Sequence, residues 1–279
     1  SDAGVPLVLA NARLSERSLA KGERLRVLMR PAVARFGLVL AQTEDDARRL
    51  RDAGAAAVQV AGNLKFDVTP APELLARGQR WRQAAARPVV LAASTREGEE
   101  QPLLRAWQAL PAPRPLLLLV PRHPQRFDEV DALVAAAGLR GLRRSDWTEA
   151  PPPHAAAADV WLGDSLGEMP LYYAAADVAL LGGSFAPLGG QNLIEAAACG
   201  CPLVMGPHTF NFAQAAEGSL AAGAALRVAD IDEGVRRAAA LADDPSREDV
   251  VRRALDFAAR HRGAAERMAA AIVALLPRA

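Results

Sequence analysis

The segment ADVALLGGSFAPLGGQNLIEAAACGCPLVMG, residues 176–206, decides the class of the fold. It opens with an apolar run at 176–183 that ends in a Gly-Gly pair. A second Gly-Gly pair precedes an alanine-rich stretch at 192–199, and another apolar run follows at 202–206. A strand, a helix and a strand in this order, with unbroken apolar runs, are typical of a parallel sheet that is buried on both faces.

The same alternation extends on both sides of this segment and predicts a doubly wound α/β domain over residues 69–260. Its six predicted strands lie at 87–94, 114–121, 159–163, 176–183, 202–206 and 224–228. Its predicted helices lie at 97–110, 125–137, 166–175, 192–199, 211–222, 231–243 and 246–275. We therefore expect one complete domain of this class in the second part of the chain.

The first 65 residues hold a shorter version of the pattern. Three strands are predicted at 5–11, 36–42 and 57–63, and two helices at 17–34 and 44–53. Two helices can hardly bury both faces of a three-stranded sheet, and the proline-containing stretch 64–78 follows as a connector. We therefore expect residues 1–68 to be the remnant of a second domain whose beginning is missing, and residues 261–279 to form a C-terminal helix.

Composition restricts the function classes. The chain has 279 residues, with 33 basic and 32 acidic side chains and a net charge of +1, so nothing in its overall charge favours nucleic acid as a partner. Its only cysteines are Cys199 and Cys201, which are too close for a relaxed disulfide and lack the second pair that a zinc site requires. No apolar run reaches the roughly 18 residues that a membrane span needs.

Ligands of an open parallel sheet bind beyond the carboxyl ends of its strands, where two polar turns follow neighbouring apolar runs. In the first, Ser94, Thr95 and Gly98 suit a phosphate at a helix N-terminus or simply cap the helix. In the second, Arg122 directly follows the most apolar strand of the chain. A guanidinium held there fits a phosphate or a carboxylate, unless it is an ordinary loop arginine.

Two further turns carry glycine. Leu166, Gly167 and Glu168 open a helix after Gly163 and Asp164, where backbone groups could bind a base edge or a ribose, or the polar residues could only cap the helix.

The last turn carries the Gly189–Gly190 pair, followed by Asn192 and Glu195 on one helix face. Asn and Glu at this spacing also form a capping box, but capping does not require two preceding glycines. Glu195 could instead accept hydrogen bonds from both hydroxyls of a ribose.

Six motifs, read together, carry a resemblance to a known family. They are NARLSERS (11–18), GNLKFD (62–67), STREGEE (94–100), PRHPQRF (121–127), GDSLGEMPLYYAAADVALLGGS (163–184) and GGQNLIEAAACGCPLVMGPHTFNF (189–212). In this order they resemble the 3-deoxy-D-manno-octulosonic acid (Kdo) transferases of Gram-negative bacteria, which are nucleotide-sugar glycosyltransferases of the GT-B type. The resemblance spans nearly the whole chain.

The resemblance implies a GT-B fold, α/β in class, with a complete C-terminal Rossmann-like domain at 69–260 and the C-terminal part of a truncated Rossmann-like acceptor domain at 1–68. Members of this family transfer Kdo from CMP-Kdo to the lipid A precursor, lipid IVA, on the cytoplasmic face of the inner membrane, in lipopolysaccharide biosynthesis. The implied localisation is therefore the inner membrane, cytoplasmic side, with the membrane anchor absent from this chain.

The resemblance also assigns roles to residues. The CMP site is implied to consist of Pro121, Arg122, Leu166, Gly167, Glu168, Asn192, Leu193, Ile194 and Glu195. Lys65 matches the lysine that stabilises the transition state, where a cation offsets the charge growing on the CMP phosphate. No cofactor and no metal are implied, because CMP-Kdo is the donor substrate; the Asp-x-Asp motif at 230–232 is interpreted as a helix cap.

The chain departs from the family pattern in two ways. The family's general base and a second glutamate precede the segment with which this sequence starts, so we expect a fragment without the base. In addition, Gln191 stands where a histidine is common.

Alternative interpretations stay open. Another GT-B enzyme, such as a UDP-sugar transferase or a nucleotide-sugar 2-epimerase, would share the same turns. The alternative outside the enzymes is a chain that binds nucleotide without catalysing a reaction. A Rossmann dehydrogenase is disfavoured because no Gly-x-Gly-x-x-Gly joins the first strand to the first helix. The basic stretch 17–34, including Arg24, could face anionic lipid or be an ordinary solvated helix.

Overall fold

The computed structural model describes residues 5–23 and 25–276, and Arg24 of the basic stretch lies outside them. The chain forms two compact units, with boundaries at residues 68/69 and 260/261. We call the unit formed by both ends of the chain the small unit and residues 69–260 the large unit. No helix of the described residues is both long and apolar enough to cross a lipid bilayer.

The N-terminal part of the small unit is a parallel three-stranded sheet in the order β1-β2-β3. Its strands are β1 (Val8–Ala12), β2 (Leu38–Ala41) and β3 (Val58–Val60). Its helices are α1 (Glu16–Glu23), α2 (Arg26–Val33) and α3 (Glu44–Asp52). The single helix predicted at 17–34 is therefore wrong: Leu25 has a non-helical backbone (φ −115°, ψ 24°) and separates two helices.

The large unit, every residue of which is described, carries a parallel sheet of seven strands in the order β10-β9-β8-β4-β5-β7-β6. Its strands are β4 (Val89–Thr95), β5 (Leu116–Pro121), β6 (Gly141–Arg143), β7 (Val160–Leu162), β8 (Val178–Leu181), β9 (Leu203–Met205) and β10 (Ala225–Arg227). The six predicted strands are all present, and β6 is one that the sequence did not reveal. It has three residues, begins with an exposed glycine and lies at the sheet edge.

Eight helices of regular α geometry cover the two faces of this sheet. They are α4 (Pro72–Ala84), α5 (Glu100–Gln108), α6 (Phe127–Ala136), α7 (Met169–Ala174), α8 (Leu193–Ala198), α9 (Ala213–Ala221), α10 (Ile231–Ala242) and α11 (Arg247–Ala259). The predicted connector 64–78 is only partly a connector, because α4 begins with a proline at a position where the missing N–H costs no hydrogen bond. The central strands β4, β5 and β8 are almost entirely buried.

The helix predicted at 246–275 is two helices. The first, α11, ends at Ala259, and Gly263, which has a left-handed backbone (φ +80°), precedes the second, α12 (Ala264–Val273), which belongs to the small unit. Leu38 and Leu40 of β2 pack with Met268 of α12, whereas Val39 and Ala41 face the opposite side. Residues 261–276 thus supply cover that the N-terminal part of the small unit lacks.

Asp67 joins the two segments of the small unit. Its carboxylate accepts hydrogen bonds from the backbone N–H of Gly263 (2.9 Å) and of Ala265 (2.7 Å) at the start of α12. These bonds hold the pKa of Asp67 below its usual value, and the bond from Ala265 has the largest effect. The side chain therefore caps a helix that lies almost 200 residues away in the sequence.

Replacing Asp67 with alanine is expected to destabilise the small unit by about 1 kcal/mol, the typical value of a helix cap. Because the pKa of Asp67 is lowered in the folded chain, this stabilisation is present above the ordinary aspartate pKa and is lost as pH falls through the lowered value. Amide hydrogen exchange at residues 263–267 measures the effect. Exposed Asp45 supplies the control variant Asp45→Ala, and equal protection of α12 in both variants would contradict the prediction.

Candidate functional site

The carboxyl ends of the parallel strands define one edge of the large unit, and the turns after β8, β4 and β5 are neighbours there because these strands are adjacent. Arg122 follows β5 and Glu195 lies in the first turn of α8, after β8. A cavity of about 590 Å³ lies at the opposite edge, next to Pro88 and Pro115, away from these groups. The chemistry, rather than the available volume, therefore selects the carboxyl edge.

Arg122 and Glu195 are brought together at this edge. The backbone N–H of Arg122 donates to the carbonyl of Thr95 (2.9 Å), and its side chain is exposed. Burial raises the pKa of the half-buried Glu195, while the positive charge of Arg122 lowers it in part. A guanidinium and a carboxylate thus interact electrostatically at this edge, next to open solvent, which suits a ligand carrying both an anion and hydroxyl groups.

The start of α8 is fixed by its own cap. The side-chain oxygen of Asn192 accepts from the backbone N–H of Ile194 (3.2 Å). Leu193 and Ile194 are completely buried, so only their backbone can contact a ligand. The side chains of these two predicted site residues belong to the core, and Asn192 has a structural role whatever it binds.

The two glycine pairs serve packing more than ligand approach. A Cβ on Gly189 (φ +89°) would lie 2.3 Å from Nδ2 of Asn211, and the N–H of Gly190 donates to the carbonyl of Gly183 (2.7 Å). The interpretation that the second pair admits a ligand is therefore wrong at Gly189. Gly167 differs: its backbone is left-handed (φ +77°), and apart from its two chain neighbours no described residue has an atom within 4 Å of a Cβ built there.

Glu99 closes the turn after β4. Its buried carboxylate accepts from the backbone N–H of Arg96 (2.9 Å) and of Gly183 (2.7 Å), and more weakly from Phe185 (3.2 Å) and Ala186 (3.3 Å). These four amides are therefore not available to a phosphate, and the phosphate interpretation of Ser94, Thr95 and Gly98 stays a prediction. Sequence reasoning missed Glu99, because three of its four partners lie more than 80 residues away.

The turn after β7 presents its backbone rather than its carboxylates. Glu168 pairs with Arg77 and with Arg144, whose Nε and Nη2 lie 2.9 and 3.1 Å from its oxygens. Asp164 accepts from the backbone N–H of Ser145 (2.8 Å) and from Nε of Arg143 (2.7 Å). Burial raises the pKa of Asp164, but these bonds outweigh it and the pKa is lowered. The side chain of Glu168 is thus committed within the protein.

The other predicted residues divide between the two units. Pro121 ends β5 and is buried, whereas Leu166 is 71% exposed beside Gly167. Lys65 belongs to the small unit, in the one-turn 3-10 helix Leu64–Phe66, and its backbone N–H donates to Oδ1 of Asn63 (3.0 Å). The predicted nucleotide residues share one edge of the large unit, and Lys65 is not part of that unit.

Asp230 is a helix cap, as expected from the sequence. Its side chain accepts from the backbone N–H of Glu233 (2.8 Å), and the carboxylate of Glu233 accepts from the N–H of Ala229 (2.9 Å). The two bonds together fix the start of α10. Across residues 5–23 and 25–276, no group of three or more His, Cys, Asp and Glu side chains is arranged to hold a metal ion.

Comparisons with known proteins agree with these features. A family model described as 3-Deoxy-D-manno-octulosonic-acid transferase (kdotransferase) matches residues 1–68. The chain is 51% identical over 270 residues to the 3-deoxy-D-manno-octulosonic acid transferase of Bordetella pertussis, covering 95% of this chain and 62% of that protein. It is 34% identical to the enzyme of the same name from Haemophilus influenzae, covering 95% and 63%. The chain thus spans a little under two thirds of the length of these relatives.

Solved structures extend the likeness. The C-terminal CMP-Kdo binding domain of WaaA from Acinetobacter baumannii matches with 33% identity and a TM-score of 0.60, over 66% of this chain and 97% of that one. Anabaena Alr3699/HepE in complex with UDP matches with 18% identity and a TM-score of 0.56, over 98% and 74%, and shows the fold alone. The predicted α/β fold class of GT-B type is confirmed. The chain has two parallel Rossmann-like sheets and shares its sequence with these relatives. It therefore belongs to the 3-deoxy-D-manno-octulosonic acid transferase family.

Proposed function

We propose that the large unit binds CMP-Kdo and that the chain takes part in transferring Kdo to the lipid A precursor on the cytoplasmic face of the inner membrane. The observation that carries this proposal is the placement of Arg122 and Glu195 at the carboxyl edge, where the charge of Arg122 acts on Glu195 and the turn after β7 leaves its glycine backbone open. The 33% identity to a CMP-Kdo binding domain of almost the same extent supports it.

Each contact has a chemical reason. Arg122 offers a planar donor pair to the CMP phosphate, held at the strand end by its backbone bond to Thr95. Glu195 accepts from the two ribose hydroxyls, which compensate for the burial of its carboxylate. Leu166 and Gly167 present backbone groups to the nucleoside, and Pro121 fixes the chain before Arg122.

The reaction is an inverting substitution at the anomeric carbon of Kdo. An acceptor hydroxyl oxygen forms a bond to that carbon while the bond to the CMP phosphate oxygen breaks, and CMP leaves with the electron pair. The hydroxyl proton passes to a general base. Lys65 is proposed to stabilise the negative charge that develops on the phosphate, which lowers the barrier because this charge is greatest in the transition state.

Calorimetric titration of the chain with CMP, and with UMP in parallel, tests the donor proposal. CMP binding with much weaker UMP binding is the expected result. A preference for UMP would reassign the chain to uridine-sugar enzymes, and no binding of either by a folded sample would overturn the donor site. Transfer is tested separately with CMP-Kdo and lipid IVA; CMP binding without transfer would limit the chain to donor binding.

Replacing Arg122 with alanine is expected to weaken CMP binding about tenfold, as expected for one charge-assisted contact at an exposed position. Arg105→Ala, which removes an exposed arginine from α5, is the matched control and should leave the affinity unchanged. The same titration measures both variants. Equal CMP affinities for Arg122→Ala and the unaltered chain would remove Arg122 from the phosphate site.

A further inference from the structure

Residues 163–168, which we call the donor loop, connect β7 to α7 and carry a carboxylate near each end. Asp164 stands near its beginning and Glu168 at its end, where it precedes the first helical residue of α7. Between them lie exposed Leu166 and the left-handed Gly167. The loop is thus polar and anchored at its ends and open in its middle.

Three consecutive residues, which begin with the last residue of the edge strand β6, hold both ends of the donor loop. We call Arg143, Arg144 and Ser145 the RRS clamp. Nε of Arg143 lies 2.7 Å from Asp164, to which Ser145 also donates through its backbone N–H (2.8 Å) and hydroxyl (2.7 Å). Arg144 reaches the other end and binds Glu168 through Nε (2.9 Å) and Nη2 (3.1 Å).

The second half of the clamp is set in a well-packed surrounding. The side chains of Arg144 and Glu168 are only 13% and 15% exposed, and the guanidinium carbon of Arg144 lies 5.1 Å from the ring centre of Trp81. The hydroxyl of Tyr172, which packs against Trp81, lies 2.5 Å from that of Ser165 in the loop. An ion pair with little water around it and a two-pronged geometry restricts the loop more than an exposed pair would.

We propose that the RRS clamp positions the donor loop for nucleotide binding, with Arg144 acting through Glu168. This inference rests on the proposed function of the carboxyl edge. Glu168 then contributes to the site by holding the backbone of Leu166 and Gly167 in place, and its carboxylate does not touch the nucleotide. Arg143 and Arg144 are positioning residues, and the geometry of their guanidinium groups matters as well as the charge.

A double-mutant cycle on CMP affinity tests this connection. Glu168→Ala is expected to weaken CMP binding about tenfold, and Arg144→Ala by less, because Arg77 and Ser165 still hold Glu168 in that variant. The double variant should be no weaker than Glu168→Ala, because Arg144 acts through Glu168. Arg144→Lys keeps the charge but loses the two-pronged contact, so its affinity for CMP should lie between that of the unaltered chain and that of Arg144→Ala. Arg140→Ala, which removes a 70% exposed arginine just before β6, is the control with unchanged affinity.

Amide hydrogen exchange of the ligand-free chain provides a readout that does not depend on CMP. Arg144→Ala should speed exchange of the N–H of Tyr172, which donates to the carbonyl of Glu168 at the end of the loop (3.1 Å), at least tenfold while the amides of β4 and β5 keep their protection. If the unaltered chain fails to bind CMP but Arg144→Ala still speeds exchange at the loop, the proposed donor site is overturned, whereas the restraint of the donor loop by the RRS clamp is supported. Unchanged loop exchange, unchanged CMP affinity in Arg144→Ala, or strictly additive losses in the cycle would overturn the inference.

Discussion

Replacing Glu99 with alanine is expected to lower the free energy of unfolding of the large unit by about 3–5 kcal/mol, since several backbone donors lose their acceptor at once. The carboxylate is 4% exposed and accepts from the N–H of Arg96, of Gly183 and, at longer distance, of Phe185 and Ala186. Gly183 is itself buried, so water cannot replace the lost acceptor there without opening the loop.

Two further variants separate this mechanism from a general effect of mutating the turn. Glu97→Ala removes an exposed glutamate from the same turn and is expected to change stability by less than about 0.5 kcal/mol. Glu99→Gln keeps one acceptor oxygen but places an amide NH₂ group against backbone donors, so its loss should lie between those of the two alanine variants.

Tryptophan fluorescence during urea unfolding measures these changes in the large unit alone. All four tryptophans of the chain, Trp81, Trp107, Trp147 and Trp161, lie in that unit. The midpoint should shift to lower urea in Glu99→Ala, and a loss below about 1 kcal/mol would show that the loop after β8 does not depend on Glu99. Because that loop leads into α8, CMP affinity should fall in the same variant.

The sequence predicted the sheet of the large unit well because its central strands are buried on both faces. A short, unbroken apolar run such as PLLLLVP at 115–121 is typical of a buried strand, and β5 occupies most of it. The edge strand β6 was missed because it is short and only partly buried. Three partly exposed residues carry no periodicity, and their place beside β7 is set by long-range pairing.

Individual site residues could be predicted, but not their partners. The position of Arg122 at a strand end and of Glu195 in the first turn of α8 follows from local pattern. The pairing of Arg144 with Glu168 joins segments 24 residues apart through the strand order, and nothing local indicates it. The interpretation of Gly189 also failed because it depends on a distant residue: the side chain of Asn211, from a later segment, packs against this glycine.

Glu195→Ala is expected to weaken CMP binding about a hundredfold. Two hydrogen bonds from ribose hydroxyls to a carboxylate contribute ~3 kcal/mol together, and each 1.4 kcal/mol corresponds to about tenfold in affinity. Glu195 is half-buried, and its neighbours Leu193 and Ile194 are buried core residues, so the helix that carries it should keep its place in the variant. Thermal unfolding monitored beside the titration checks that the fold is retained.

The pH dependence of binding identifies the carboxylate. Burial raises the pKa of Glu195, so in the ligand-free chain it takes up a proton at a higher pH than an ordinary glutamate. The ribose hydroxyls bind the ionised form, so CMP affinity is fully present above the raised pKa and is lost as pH falls through it. An exposed glutamate would preserve the affinity down to about pH 4–5.

Protonation of the CMP phosphate near pH 6 adds a dependence of its own, which Glu195→Gln separates. The glutamine variant retains the phosphate contribution but cannot ionise, so the ratio of unaltered to variant affinity reports Glu195 alone. This ratio should decline towards low pH. Because the charge of Arg122 lowers the pKa of Glu195, the decline should move to higher pH when both chains carry Arg122→Ala. A ratio independent of pH would show that the Glu195 carboxylate does not contact the nucleotide.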